Sequence, residues 1–255
     1  MSDRNDVLQE LGLLPQWRRR ADAIRLSAHR AAPLATDSSP DAAVPRQATL
    51  DRVSRIAGLG WADFAADVAG CTACTLCKTR NRTVPGVGDR RAGWMLIGEA
   101  PGAEEDAKGE PFVGQAGRLL DNMLAALGMR RDRNVYIANV LKCRPPGNRA
   151  PTPVEIESCR LYLDRQIELI QPKLIIALGK SAATTLLNVD ATIASMRGRI
   201  HSYQAVPLIV TYHPAYLLRN LPDKAKAWED LCLARATMRR LQGDNDLQIA
   251  PGAPS

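Results

Sequence analysis

The stretch Trp94-Met95-Leu96-Ile97-Gly98-Glu99-Ala100-Pro101-Gly102 decides the fold. Its first four residues are apolar, as in a strand buried on both faces. The run stops at a turn built from two glycines and a proline. Glu104, Glu105, Asp106 and Glu110 crowd the residues that follow, and Phe112 sits between Pro111 and Val113-Gly114. In an open parallel α/β sheet, ligands bind beyond the carboxyl ends of the strands. A buried strand ending in a glycine-rich turn with carboxylates is a place for chemistry. A solvated acidic loop is the plainer reading of the same residues.

The pattern recurs. Val135-Tyr136-Ile137-Ala138-Asn139-Val140, Leu174-Ile175-Ile176-Ala177-Leu178 and Pro207-Leu208-Ile209-Val210-Thr211 are further apolar runs. Helical spacing lies between them. Leu119, Leu120, Met123, Leu124 and Leu127 share one face, and Gly128 closes that segment. Thr152-Pro153-Val154-Glu155 reads as an N-cap, a first-turn proline and a capping box, opening a helix to about Ile170. Asp223 to Leu241 reads as the last helix. Strands alternating with helices predict an α/β fold: a three-layer α/β/α domain around a central four-stranded, mostly parallel sheet with right-handed crossovers. The polar residues at the strand ends then gather on one side: Glu99 follows the first strand, Asn139 ends the second, Lys180 follows the third and His213 the fourth. Gly179-Lys180-Ser181 is not a phosphate loop, because Leu174 stands where the upstream glycine belongs. A backbone contact to phosphate at that helix start stays open.

A chain of 255 residues can bury a full core, so one catalytic domain with an appendage is expected. Residues 1–60 read as a flexible N-terminal extension, with a helical segment at Val7–Leu14, a basic run Arg18–Arg20 and a linker rich in Ala, Pro and Ser over 31–49. Residues 50–69 look helical, 61–241 form the expected catalytic domain, and 242–255 read as a disordered tail. No run approaches the roughly 20 apolar residues of a membrane-spanning helix, and the N-terminus lacks a signal peptide's apolar region. The expectation is a cytoplasmic monomer without a membrane. A net charge of +7 and a pI near 9.3 favour an anionic partner.

Six cysteines in such a chain argue against structural disulfides. Cys71 and Cys74 have the spacing that lets two thiolates reach one metal from a single turn. Cys77 extends that spacing and leaves the ligand choice open. Cys143 precedes the helix that carries Cys159, so both can face one point. A zinc half-site and a redox pair remain alternatives at this level.

Taken in order, GEAPGAEED (Gly98–Asp106), PFVG with Phe112, NVLKCRPPGNR (Asn139–Arg149) and HPAYLL (His213–Leu218) closely resemble family 4 uracil-DNA glycosylases, the iron–sulfur enzymes of that superfamily. The resemblance spans about Cys71 to Arg240. It implies hydrolysis of the N-glycosidic bond of deoxyuridine in single- or double-stranded DNA, leaving an abasic site without strand cleavage. It further implies a [4Fe–4S] cluster held by Cys71, Cys74, Cys143 and Cys159, pinning the arginine-rich loops Thr79–Arg91 and Lys142–Arg149 against DNA. His213 would donate to uracil O2, with backbone N–H groups around Gly98 and Glu99 assisting. Phe112 and Ala100 would wall the base pocket, and Asn139 would read O4 and N3–H. Glu99 would stand near the sugar. Glu105 matches a second acidic position, with catalysis or loop support both open. Tyr216, Leu217 and Leu218 would wedge into the duplex, with packing of the leucines inside the fold as the equal alternative; Arg219 and the Lys180 helix start would meet phosphate. A non-catalytic Fe–S or zinc DNA-binding module, and a glycosylase for another deaminated base, are the rival readings.

Overall fold

The computed structural model describes residues 46–246. The segments expected at Val7–Leu14, Arg18–Arg20 and most of the 242–255 tail lie outside the described residues. Where a single helical region was expected over residues 50–69, there are two helices, α1 (Arg46–Ala57) and α2 (Trp61–Gly70). Gly60 is the N-cap of α2, so the chain turns at the glycines between them. Helix α1 starts inside the segment read as linker. The small apolar cluster of Ile56, Leu59, Phe64 and Val68 folds against Tyr162.

The central sheet has six strands in the order β1-β3-β2-β4-β6-β5. They are β1 (Val87–Gly88), β2 (Trp94–Gly98), β3 (Val135–Asn139), β4 (Leu174–Leu178), β5 (Ile200–Tyr203) and β6 (Val206–Thr211). The four expected apolar runs are the parallel centre, β3-β2-β4-β6. The two strands the sequence did not announce are the antiparallel edges. Strand β1 is only two residues long. Strand β5 carries His201 and Ser202 and has one buried residue, Tyr203. Edge strands touch solvent, so neither shows the continuous apolar run that marks a doubly covered strand.

Side chains alternate along the central strands and feed two cores. Met95, Ile97, Ile175, Ala177, Leu208 and Val210 face one layer, with Leu163 and Ile167 of α5 (Pro153–Ile170) and Ala182, Ala183 and Leu186 of α6 (Lys180–Leu187). Trp94, Leu96, Val135, Ile137, Leu174 and Ile176 face the other. There they meet Leu120 and Leu124 of α4 (Gln115–Ala126) and Leu231, Ala234 and Met238 of α9 (Asp223–Asp246). Each fully buried leucine contributes about 1.5–3 kcal/mol through loss of apolar surface from water. The short helices α3 (Ala103–Lys108), α7 (Ile193–Met196) and α8 (Pro214–Leu217) lie in the connections. No helix among the described residues is long and apolar enough to cross a membrane.

The register places the carboxyl ends side by side. Gly98 pairs with Asn139, and Leu178 pairs with Thr211. The chain runs from β2 to β3 on one side and then returns to β4 on the other side of β2. That reversal leaves a crevice beyond the strand ends, where α/β sheets bind ligands.

The capping box read at Thr152 is present: Thr152 Oγ1 accepts from the Glu155 N–H at 3.3 Å, and Glu155 accepts the Thr152 N–H at 2.8 Å. Arg149 adds two contacts to the buried Glu155 carboxylate, at 2.8 and 2.6 Å. The Arg149 guanidinium is the main cause that holds Glu155 down at about 2, against an ordinary 4.5. A carboxylate whose folded-state pKa is depressed contributes stability that is present above its unfolded value and lost as pH falls through its folded one. Acid melts followed by circular dichroism should therefore show a loss of stability between about pH 4.5 and 2 that the Glu155→Gln protein lacks. Identical acid profiles for the two proteins would remove Glu155 from this role.

Candidate active site and cysteine pocket

A crevice with about 1150 Å³ of atom-free space, including its open mouth, lies beyond the carboxyl ends of β2, β3 and β6. Glu99, Ala100, Glu105, Phe112, Asn139, His213 and Arg219 all line it. These come from four separate motifs, and the fold brings them to one place. Lys180 stands outside the lining, 3.8 Å from Asp190.

His213 follows the end of β6 by two residues and caps α8. Its Nδ1 accepts the Ala215 N–H at 3.1 Å. That bond leaves the proton of the neutral ring on Nε2. Burial pushes the imidazole down to about 4, Arg219 adds to the shift, and Glu105 opposes it. The ring is therefore neutral at physiological pH. It stacks on Phe112, with centroids 5.4 Å apart at 29°.

Phe112 is held in an unusual backbone conformation, at φ 54°. A left-handed aromatic residue costs of order 1–3 kcal/mol and persists only where its surroundings over-determine it. Here they do. Arg131 donates to the carbonyls of Pro111 at 2.9 Å, Phe112 at 2.6 Å and Gly117 at 3.2 Å. Gly117 must lack a side chain, because a β-carbon there would overlap the Phe112 carbonyl. Sequence reasoning missed Arg131; it lies in the polar turn before β3, and nothing local ties it to Phe112.

Glu105 supports the same loop from the other side. Its carboxylate accepts the N–H groups of Gly102 at 3.1 Å, Val113 at 2.9 Å and Gly114 at 3.3 Å. Both oxygens are engaged by backbone. Asp106, buried, ties α3 to the arginine loop through Asn81, at 3.0 and 2.6 Å.

Asn139 is 2% exposed, and its Oδ1 is buried with no hydrogen-bond partner among the described residues. A buried amide oxygen without a partner is expensive, of order 1–3 kcal/mol. Gly98 makes room for it. A β-carbon on Gly98 would clash with Asn139 Oδ1 and lie 2.7 Å from Phe112 Cζ. Gly98 itself does not line the crevice, so its expected part in substrate binding becomes an enabling one. Glu99 carries a carboxyl raised by burial, with the Ser181 hydroxyl drawing it partly back.

Leu217 does not meet its expectation as a wedge. It is 1% exposed and packs with Tyr212 and Ala227, so it has no surface to insert. Leu218, 38% exposed, is the leucine of that motif which reaches solvent. The arginines expected on phosphate also divide. Arg80 donates to Cys143 Sγ at 3.1 Å and to the Ala69 carbonyl at 2.7 Å. Arg90 lies over Trp61, and Arg149 holds Glu155. His201 bonds the Met196 carbonyl at 2.6 Å, a structural role.

A second pocket has about 340 Å³ of atom-free space and is lined by Cys71, Cys74, Cys143 and Cys159, with Arg80, Lys142 and Tyr162. Cys77 is not part of its wall. The Lys142 N–H donates to Cys159 Sγ at 3.2 Å. Burial pushes the Cys159 thiol up to about 12. Burial also acts most strongly on Cys71, raising it, but the Ala73 N–H, Tyr162 and Arg52 together bring that thiol below its ordinary value. Among the described residues no three His, Cys, Asp or Glu side chains converge on a single-ion site.

This architecture, with a crevice beyond the carboxyl ends of the central strands, belongs to a known class. The uracil DNA glycosylase superfamily model matches residues 85–232. The chain belongs to that superfamily. It is 48% identical over 164 residues to a type-4 uracil-DNA glycosylase of Archaeoglobus fulgidus, covering 61% of this chain and 82% of that one. It is 42% identical over 177 residues to a type-4 uracil-DNA glycosylase of Thermotoga maritima, covering 68% and 92%. A type-5 uracil-DNA glycosylase of Pyrobaculum aerophilum is more distant, at 34% over 155 residues, covering 54% and 68%.

Proposed function

We propose that this chain is a monofunctional uracil-DNA glycosylase of the type-4 kind, acting in DNA repair. The orphaned Oδ1 of Asn139, a residue that lines the crevice together with Phe112 and a neutral His213, is the observation that carries the reading. A base must leave the helical stack to enter such a crevice. Uracil offers N3–H to the waiting oxygen and O4 to the amide nitrogen. Cytosine offers the opposite pattern at both positions and is refused. Phe112 stacks on the base.

Bond cleavage sends the electron pair of the N1–C1′ bond onto uracil, where charge gathers on O2. His213 Nε2–H donates to that oxygen. A donor already placed and desolvated is a strong stabiliser of such charge. Water adds to C1′, and its proton passes to the Glu99 carboxylate. Glu105 holds the loop that places Phe112. Arg219 and Leu218 meet the DNA strand beside the extruded base. Among the described residues no lysine lines the crevice to form a covalent adduct with the sugar, and the strand is left intact.

Cys71, Cys74, Cys143 and Cys159 would hold a [4Fe–4S] cluster. Four thiol groups line one pocket, with N–H donors from Arg80 and Lys142 on two of the sulfurs. An all-sulfur set with N–H···S bonds suits iron–sulfur clusters. The cluster would brace the loops around the cysteines, while the base chemistry belongs to the crevice. Cys143→Ala protein should lose most of its iron, measured by metal analysis; full iron retention would sink this assignment.

The substrate is tested with single- and double-stranded oligonucleotides carrying uracil, hypoxanthine or xanthine, cleaved with alkali after incubation. Uracil sites should become alkali-labile first and fastest. Preference for a purine would favour the rival glycosylase reading, and no lability at all would favour a binding module.

A further inference from the structure

Lys142 follows the β3 strand end by three residues and is 1% exposed. Its Nζ donates to the Asn139 main-chain carbonyl at 2.7 Å and also to Gln166 Oε1. Gln166 is fully buried and in turn donates to the Pro85 carbonyl at 2.6 Å and to the Tyr136 hydroxyl at 3.1 Å. The same lysine's main-chain N–H bonds Cys159 Sγ. Burying an ammonium costs several kcal/mol before its partners offset it. An apolar side chain would fill this space at less cost, and the base-release chemistry makes no use of the charge. What the charge does achieve is geometric. It fixes the carbonyl of the residue whose amide meets the base, from a point anchored to α5, β3 and the cysteine pocket at once.

We propose that Lys142 is a positioning residue that sets the Asn139 amide for uracil and ties it mechanically to the cysteine pocket. This rests on Asn139 being the base reader. A strut of this kind acts on recognition of the extruded base, not on general affinity for DNA. The stem of Lys142 fills the core, and only its ammonium carries the effect, so Lys142→Met isolates the donor.

The test measures binding to duplex DNA carrying a non-cleavable 2′-fluoro-deoxyuridine, relative to the same duplex with thymidine. Lys142→Met should lower that affinity ratio about tenfold, with iron content and thymidine-duplex affinity unchanged. Adding Lys142→Met to Asn139→Ala should change the ratio less than twofold, because the residue it positions is gone. An unchanged ratio in the single variant, or an equal further drop in the Asn139→Ala background, overturns the proposal. Should Lys142→Met fail to fold or lose its iron, Gln166→Leu decides. It removes the partner that holds Nζ, and it should lower the ratio several-fold in the parent and not in Asn139→Ala. An Asn139→Ala protein with a full ratio would instead overturn the base-reader reading itself.

Discussion

His213→Ala should lower the turnover of uracil release about 10²–10³-fold while changing KM little. The imidazole is buried against Phe112 and neutral, and its Nδ1 is committed to the Ala215 N–H. The one proton left on the ring is the one offered to uracil O2, where charge develops. Removing a single placed donor of this type costs roughly 3–4 kcal/mol of barrier. The pH profile carries the same signature. An ordinary histidine would give an inflection near 6.5. Here the ring stays neutral until about pH 4, so kcat should be flat through that region. Activity should fall on the acid side as the Glu99 carboxyl, raised by burial, takes up its proton. A kcat limb centred near 6.5 would contradict the neutral-donor account.

Asn139→Ala should cut kcat/KM for uracil in DNA about 10³-fold without destabilising the protein. Two hydrogen bonds to the base are lost, and the uracil groups they served stay buried and unpaired, at about 1–3 kcal/mol each. The folded protein gains in return, because the orphaned Oδ1 beside Gly98 disappears. Thermal melting should show a stability held or raised, the usual direction when a residue kept for function is removed. A variant that loses activity together with several kcal/mol of stability would mark Asn139 as a structural residue instead.

Much of this is legible in the sequence. Four apolar runs are buried on both faces and alternate along two cores, so their composition announces a parallel centre. The edge strands β1 and β5 were hidden because solvent-facing residues carry no such run. Glu99 and His213 follow β2 and β6, Asn139 ends β3, and Phe112 returns to them after α3, so all four gather at the carboxyl end of the sheet. Leu217 and Leu218 could not be told apart from sequence; one turn of α8 decides which is buried. The supports were the least visible. Arg131 reaches back to Phe112 across 19 positions, and Lys142 reaches Gln166 across 24. Such bonds depend on which loops the sheet brings together, and local spacing holds no trace of them. Arg80 and Arg149 looked like phosphate ligands for the same reason, since charge alone does not name a partner.

The central claim is that the crevice releases uracil by hydrolysis. The most direct measurement incubates purified protein with a uracil-containing oligonucleotide and quantifies free base and strand together by mass spectrometry. The account predicts free uracil in one-to-one ratio with abasic sites, on strands that stay intact until alkali is added. Abasic sites without free uracil, strand scission before alkali, or no release of base would contradict it.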